Sequence, residues 1–328
     1  MDRKLSVFLK KLIKAIKSNK RILIATHIDP DCDGICSALA MAYLVNFYKG
    51  VKPTLFCHSS IPKKYNFLLK DYCFSNILKS FDLLIAVDSA GIERIFPKEK
   101  YNLKSLNEKF VINIDHHKSN VEFGDIAIID EKASSACEII YRIFKELNIK
   151  IDRYLATIFY AGIYNETGSF THPNTTAEAL RICSELITKG IKPADLVKKL
   201  NAKTVAGTKL LSAVLSTIQI KKNVGIMYLT RKMLKGSQAH MSESENFISF
   251  LQAINSVRVS VFFREEQDGV RVSLRSDGLI DVNELAQLFG GGGHRLAAGI
   301  KLKEKLPVVE KKILTALFNK IKYANNIR

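Results

Sequence analysis

The chain has 328 residues, 47% hydrophobic and 25% charged, and its 50 lysines and arginines outnumber its 32 acids by 18. Such a length allows two separate cores, and the balance excludes a disordered chain. No apolar run approaches the roughly 20 residues of a membrane span, and Met1-Asp2-Arg3-Lys4 leads into an amphipathic pattern rather than a signal peptide, so a cytoplasmic protein is expected.

The six cysteines (Cys32, Cys36, Cys57, Cys73, Cys137, Cys183) lack the spacing of a disulfide framework and are expected as reduced thiols. Cys32 and Cys36 are read as small buried fillers. A pI near 9.5 favours polyanionic partners, above all nucleic acid or nucleotides, although much of the lysine, as at Lys10, Lys11, Lys14 and Lys17, falls on solvated helix faces.

In chain order, residues 6–16 place Val7, Phe8, Leu12, Ile13 and Ile16 near one helical face. A strand over 22–25 follows, then the acidic stretch His27-Ile28-Asp29-Pro30-Asp31-Cys32-Asp33-Gly34, read as a turn in which Gly34 opens a helix over 37–47. Strands are expected at 51–57, 81–88, 111–115 and 126–129. The helical periodicity between the early strands argues for a parallel sheet with helices on both faces. Ser134-Ser135 is a good N-cap pair, and helices follow at 136–147, 152–164 and 176–189. Residues 1–190 form the first domain of this reading, 191–217 a helical linker and 218–328 a smaller α/β domain. In the last, strands at 224–229 and near 297–302, a helix at 245–254, a hairpin of 257–264 with 270–274, and helices at 281–289 and 308–321 surround the run Gly290 to Gly293 and His294.

Three apolar runs of strand character end in groups that no core absorbs: His27 with Asp31 and Asp33, then Asp88, then Asp115-His116-His117. Parallel sheets place their sites at such C-terminal strand ends. A lone Asp at a strand end is usually a cap, so the argument rests on convergence. Acids and imidazoles together call for divalent metal: His27 and Asp31 on one ion, Asp33 and His116 on a second, Asp88 between them. Mixed imidazole and carboxylate donors suit Mn²⁺ better than Mg²⁺. Two ions about 3.5–4 Å apart can activate water and clamp both oxygens of an in-line phosphoryl displacement. That is a phosphoesterase centre.

These residues resemble a known family. His27-x2-Pro30-Asp31-x-Asp33-Gly34, Val87-Asp88, Asp115-His116-His117 and Gly291-Gly292-Gly293-His294 are similar to the motifs of DHH phosphoesterases with the DHHA1 domain. Residues 162–170 (GIYNETGSF) and Pro173-Asn174-Thr175 resemble the NrnA-type bifunctional oligoribonucleases that also act as pAp phosphatases. One position departs: where that family carries an Asp on the second metal, this chain has Glu166. It keeps the charge, adds a methylene, and is expected to ligate if the backbone retreats slightly or the carboxylate turns bidentate.

The resemblance implies two Mn²⁺ ions, with Mg²⁺ or Co²⁺ as substitutes, on His27, Asp31, Asp33, Asp88, His116 and Glu166. It implies that Asp115 fixes a histidine from behind and that His117 faces the substrate phosphate. Four carboxylates balance two divalent ions, so a phosphate needs further cations. Arg275, Gly291, Gly292, Gly293 and His294 are the expected source, with Arg258 and Arg264 left open as hairpin surface residues. The implied site lies in the cleft between the domains. Implied substrates are short single-stranded RNA or DNA oligonucleotides, linear dinucleotides and pAp, with no membrane partner, and a homodimer is left open. The rivals are a RecJ-like single-strand DNA exonuclease, a membrane-anchored cyclic-dinucleotide phosphodiesterase, and a non-catalytic nucleic-acid-binding protein.

Overall fold

The computed structural model describes residues 3–106 and 108–326, so the N-terminal Met1-Asp2 lies outside the described residues. The chain divides into two compact units, 1–202 and 203–328.

In the first unit, α1 (Arg3–Ser18) precedes β1 (Ile22–Ala25), α2 (Cys32–Lys49), β2 (Thr54–Phe56), α3 (Asn66–Leu69), β3 (Phe74–Ser75), β4 (Leu83–Val87), β5 (Phe110–Asp115) and β6 (Ile126–Ile129). Then come α4 (Ala136–Glu146), α5 (Arg153–Glu166), α6 (Ala177–Ile187) and α7 (Pro193–Leu200). The six strands are all parallel, in the order β3-β2-β1-β4-β5-β6. Every residue of β1 and β4 is buried, which is why these runs are continuously apolar rather than alternating. The chain works outward from β1 to β3, then restarts beside β1 with β4. That reversal opens a crevice at the C-terminal ends of β1 and β4, where His27 and Asp88 lie.

The two faces of this sheet are covered unequally. Ile22, Ile24, Leu83, Ile85, Ile112 and Ile114 pack against the α-helices. Leu23, Ala25, Leu84 and Ala86 pack against Ile95, Phe96 and Tyr101, from a connection whose described residues form two 3-10 turns.

Helix α2 begins earlier than the sequence indicates. Asp31 is its N-cap and accepts from Gly34 N at 3.0 Å, so Asp33 belongs to the first helical turn rather than to the preceding loop. Gly34 is not there to open the helix. A Cβ at this position would strike Thr26 Oγ1 and stand 3.1 Å from Asp88 Oδ2. The glycine lets the helix start press against the strand ends.

The second unit contains α8 (Val205–Leu215), β7 (Gln219–Lys221), β8 (Val224–Leu229), α9 (Arg231–Ser237), α10 (Ser249–Gln252), β9 (Val259–Glu266) and β10 (Gly269–Ser276). It ends with α11 (Val282–Gln287), β11 (Gly292–His294), β12 (Ala297–Leu302) and α12 (Leu306–Asn326). Its sheet is mixed, ordered β11-β12-β10-β9-β8-β7, with β8 and β9 parallel. Val261, Phe263, Val272 and Leu274 meet α11 and α12 on one face. Met227, Leu229 and Phe262 meet α8 and α10 on part of the other.

Two expectations change here. The helix over 245–254 shrinks to the four residues of α10, and Asn246, at a left-handed φ of 63°, bars it from starting at 245. The glycine run becomes an edge strand at Gly292–His294, antiparallel to β12. Stretch 191–217 is shared between the units: Leu196 and Leu200 join the first core, Leu210 and Val214 a core of the second.

Candidate metal centre

Three strand ends of the first sheet, with the start of α2 and the end of α5, deliver the site. After β1, His27 turns its ring so that Nδ1 lies 2.8 Å from the carbonyl oxygen of Ile28. A carbonyl only accepts, so Nδ1 carries the proton and Nε2 is left as an acceptor. That bare nitrogen faces two more acceptors, Asp31 Oδ2 at 3.8 Å and Asp88 Oδ2 at 3.6 Å. Burial opposes a charge on the ring, yet Asp31 and Asp88 raise the His27 pKa well above its ordinary value, so without metal a second proton on the ring fills this gap; a metal ion would fill it directly.

After β4, the chain reverses at Asp88, whose φ is 52°, a conformation that stores strain and that Asp tolerates better than most residues. The turn leaves the carboxylate 2% exposed, with its two oxygens facing opposite ways. Oδ2 faces His27; Oδ1 lies 3.5 Å from His116 Nε2 and 3.7 Å from His117 Nδ1. His116 Nε2 also faces Asp33 Oδ2 and Glu166 Oε1, each at 3.9 Å. Asp88 Oδ1 and His116 Nε2 are buried without a hydrogen-bond partner, which a folded protein tolerates only where something else binds them.

Donor atoms held about 2.1 Å from one ion stand roughly 3–4 Å from each other. The donors of His27, Asp31 and Asp88 lie within 4.8 Å of one another, as do those of Asp88, His116 and His117; Asp33 and Glu166 each approach the second group at His116 Nε2, 3.9 Å away. The residues therefore fit divalent metal.

The electrostatics agree. Burial, followed by the Asp88 charge, pushes the Asp33 carboxyl up to about 7. Desolvation and then Asp31 drive Glu166 well above the ordinary carboxylate range. Burial works against a charge on His116, yet Asp88, Glu166 and Asp33 raise it to about 10. Acids that hold protons beside histidines that hold protons mark a shortage of positive charge, which metal would relieve.

Asp33 is secured from the helix side. Its Oδ2 accepts from Ala136 N at 2.7 Å and its Oδ1 from Cys137 N at 3.0 Å, two of the unpaired N–H groups at the start of α4. Asp115 is fully buried and lies 2.7 Å from His117 Nδ1, while its other oxygen accepts from Asn120 Nδ2 at 2.6 Å.

The second unit gathers its cations on one sheet face. Arg275 pairs with Ala297, and Ala297 with His294, so Arg275 and His294 share a row across three strands. Arg271 pairs with Arg264 on the same face. The Arg264 guanidinium lies 5.3 Å above the Phe262 ring and donates to Ser273 Oγ at 2.9 Å, while its Nε is buried without a partner. Burial and then Arg271 lower it to about 10, an arginine short of negative charge. Arg258 is different, since its Nε donates to Asp277 at 2.7 Å and the pair closes a surface turn.

The profile of the DHH family's N-terminal domain matches residues 21–163, and that of the DHHA1 domain matches residues 221–322. The chain belongs to the DHH family. The bifunctional oligoribonuclease and PAP phosphatase NrnA of Thermus thermophilus is 32% identical over 295 residues, 89% of this chain and 86% of its own. A probable bifunctional oligoribonuclease and PAP phosphatase NrnA of Streptococcus mutans is 33% identical over 295 residues, 88% of this chain and 92% of its own. Among solved structures, an exopolyphosphatase-related protein from Bacteroides fragilis shares the fold, with a TM-score of 0.89 and 24% identity over 99% of both chains.

Within this DHH unit, three supports have a role that sequence reasoning did not assign. Asn120 is one: five residues past Asp115, it also donates to Asn113 Oδ1 and to the Ser89 carbonyl, tying together the ends of β4 and β5. Gly162 is another. A Cβ there would run into Cys137 Sγ and stand 3.1 Å from Asp33 Oδ1, so the glycine admits α5 against the carboxylate. The third is the start of α4, whose backbone N–H groups leave no signature in the sequence. Asn174, inside a motif the sequence did single out, donates to the carbonyls of Ser134 and Glu166 and joins that helix start to the end of α5. In the DHHA1 unit, the N–H groups of Gly290 and Gly291 close α11 by donating to Gln287 and Ala286.

Proposed function

We propose that this DHH protein is a divalent-metal phosphoesterase that degrades short oligoribonucleotides to mononucleotides and removes the 3′ phosphate of pAp. The observation that carries the reading is the Asp88 carboxylate, with one oxygen turned to His27 and the other to His116. His27, Asp31 and Asp88 would hold one ion, and Asp33, Asp88, His116 and Glu166 a second. Mn²⁺ is favoured by the mixed donors, with Mg²⁺ or Co²⁺ as substitutes. When bound, such a pair lowers the pKa of water and neutralises charge on the reacting phosphoryl group.

This chain's own residues supply orientation and proton transfer. Asp115 holds His117 at Nδ1, and the imidazole is a quarter exposed where His116 is only 7% exposed. His117 therefore presents Nε2 to the substrate. Burial opposes its charge, but Asp115 and Asp88 raise its pKa, which favours the protonated ring that would donate to the departing oxygen. Arg275, His294 and the glycines 291–293 would bind substrate phosphate. Because the first two N–H groups of the glycine run are spent on α11, that contact falls mainly to residues 292–294. Arg264 joins them on the strength of its uncompensated charge.

Activity in the cytoplasm accords with six free cysteines. Among the described residues no helix is long and apolar enough to cross a membrane. The test is to offer the purified protein, with Mn²⁺, a 5′-labelled RNA dinucleotide, a long single-stranded RNA and pAp. Fast loss of the dinucleotide and pAp, absent in Asp88→Ala, is expected. Preferential cutting of the long strand would overturn the short-substrate reading in favour of an exonuclease.

A further inference from the structure

On the β2–β3 flank of the first unit, lysines sit on aromatic rings. The Lys64 ammonium lies 4.7 Å from the ring centre of Tyr65, Lys70 4.8 Å from Tyr154, and Lys199 5.5 Å from Phe67. The spine of this face is segment 63–72, into which Tyr154 donates a hydrogen bond at the Leu68 carbonyl, 2.9 Å away. A fourth pair, Lys52 on Tyr72 at 5.2 Å, continues it, with the Lys52 ammonium donating to the Asp71 carbonyl. Segments 61–73 and 191–200 together carry six lysines against two aspartates, so the field here is positive. Phe67 is 36% exposed, an accessible ring with a cation as its neighbour.

We propose that this face docks single-stranded RNA outside the metal centre. Tyr65 is buried, so its ring only positions Lys64; at the accessible Phe67 a single strand offers a base to stack on the ring, and along the face it offers phosphates to the ammonium groups. A duplex, with its bases stacked away, offers only the second. The face also leads to the site. Lys199 belongs to α7, and Asn201, the residue following that helix, donates to Tyr164 Oη, two residues before Glu166. From Tyr154 to Glu166 along α5 is about 18 Å, at about 1.5 Å per residue. A strand held here would keep its end at high local concentration near the centre. The inference rests on the oligoribonuclease reading only for the choice of RNA as the strand.

The test measures equilibrium binding of a fluorescein-labelled 24-nucleotide oligo(A) RNA to the full chain in chelator, against salt. Lys64→Gln/Lys70→Gln/Lys199→Gln should weaken binding about tenfold or more and flatten the log–log salt slope by about 2, near 0.7 for each phosphate that is no longer neutralised. Phe67→Ala should weaken it about fivefold or more, and both variants should hydrolyse the dinucleotide at the wild-type rate in Mn²⁺, which also shows that they fold. An unchanged affinity and slope in the triple variant would overturn the proposal. So would displacement of the 24-mer by pAp, or preference of the wild type for phosphatidylglycerol vesicles over RNA. If the wild type binds RNA through these lysines but hydrolyses no dinucleotide, the enzymatic reading fails and this one stands.

Discussion

Both units are six-stranded sheets with helices packed against them, yet they deploy charge in opposite ways. The first gathers acids at the ends of parallel strands, where His27 and Asp88 follow fully buried runs and Asp115-His116-His117 a run buried after its first residue. The second lays Arg264, Arg271 and Arg275 across the face of a mixed sheet, in register rows. Strand ends focus a few donors onto one point, which suits an ion. A sheet face spreads cations over a row, which suits an extended polyanion. Each unit carries the charge that its own ligand would neutralise.

Changes on the two sides should therefore fail differently. Asp88→Asn should have the largest effect: hydrolysis falls by roughly 10³-fold or more, and titration calorimetry finds at most one Mn²⁺ where the wild type takes two. Full metal stoichiometry in this variant would break the bridging assignment. Arg264→Gln should leave the stoichiometry at two and raise the KM about tenfold or more, the scale of a lost charge-assisted hydrogen bond. An unchanged KM would return Arg264 to a structural role.

Asn120→Ala should lower kcat about tenfold, as loss of an orienting partner does, with metal content intact and a shifted pH profile as His117 loosens. The smallest effect concerns stability. Asp33 at about 7 and His116 at about 10 hold protons more tightly in the folded chain than in the unfolded one. The contribution of these two groups to metal-free stability is thus greatest at low pH and is lost as pH climbs through these values, while Asp88, held low, acts only at the acid end. Metal must displace the same protons. The Tm gap between Mn²⁺-loaded and chelator-treated protein should widen by several degrees between about pH 5 and about pH 8. A constant gap would show that protons and metal do not share the site.

Most of the first unit was legible because buried parallel strands announce themselves. Ile22–Ala25 and Leu83–Val87 are apolar without a break and end in residues that cannot be buried unpaired. The start of α2 was misread because Gly34 looks like a helix breaker, whereas its role is clearance for Thr26 and Asp88. β11 was hidden because Gly292-Gly293-His294 has no strand propensity and owes its pairing to β12. The grip of α4 on Asp33 spans over a hundred residues and is made by backbone atoms, which no local pattern encodes.

Asp31 has a double attachment with a dynamic consequence. Its Oδ1 closes the first turn of α2 through Gly34 N, and its Oδ2 belongs to the donor set around His27. Fraying of that turn and release of the ion are then one event seen from two sides. The Gly34 amide becomes a built-in occupancy gauge: its hydrogen exchange should slow on metal loading in proportion to the ion's residence, and a single backbone proton would report how often the centre empties.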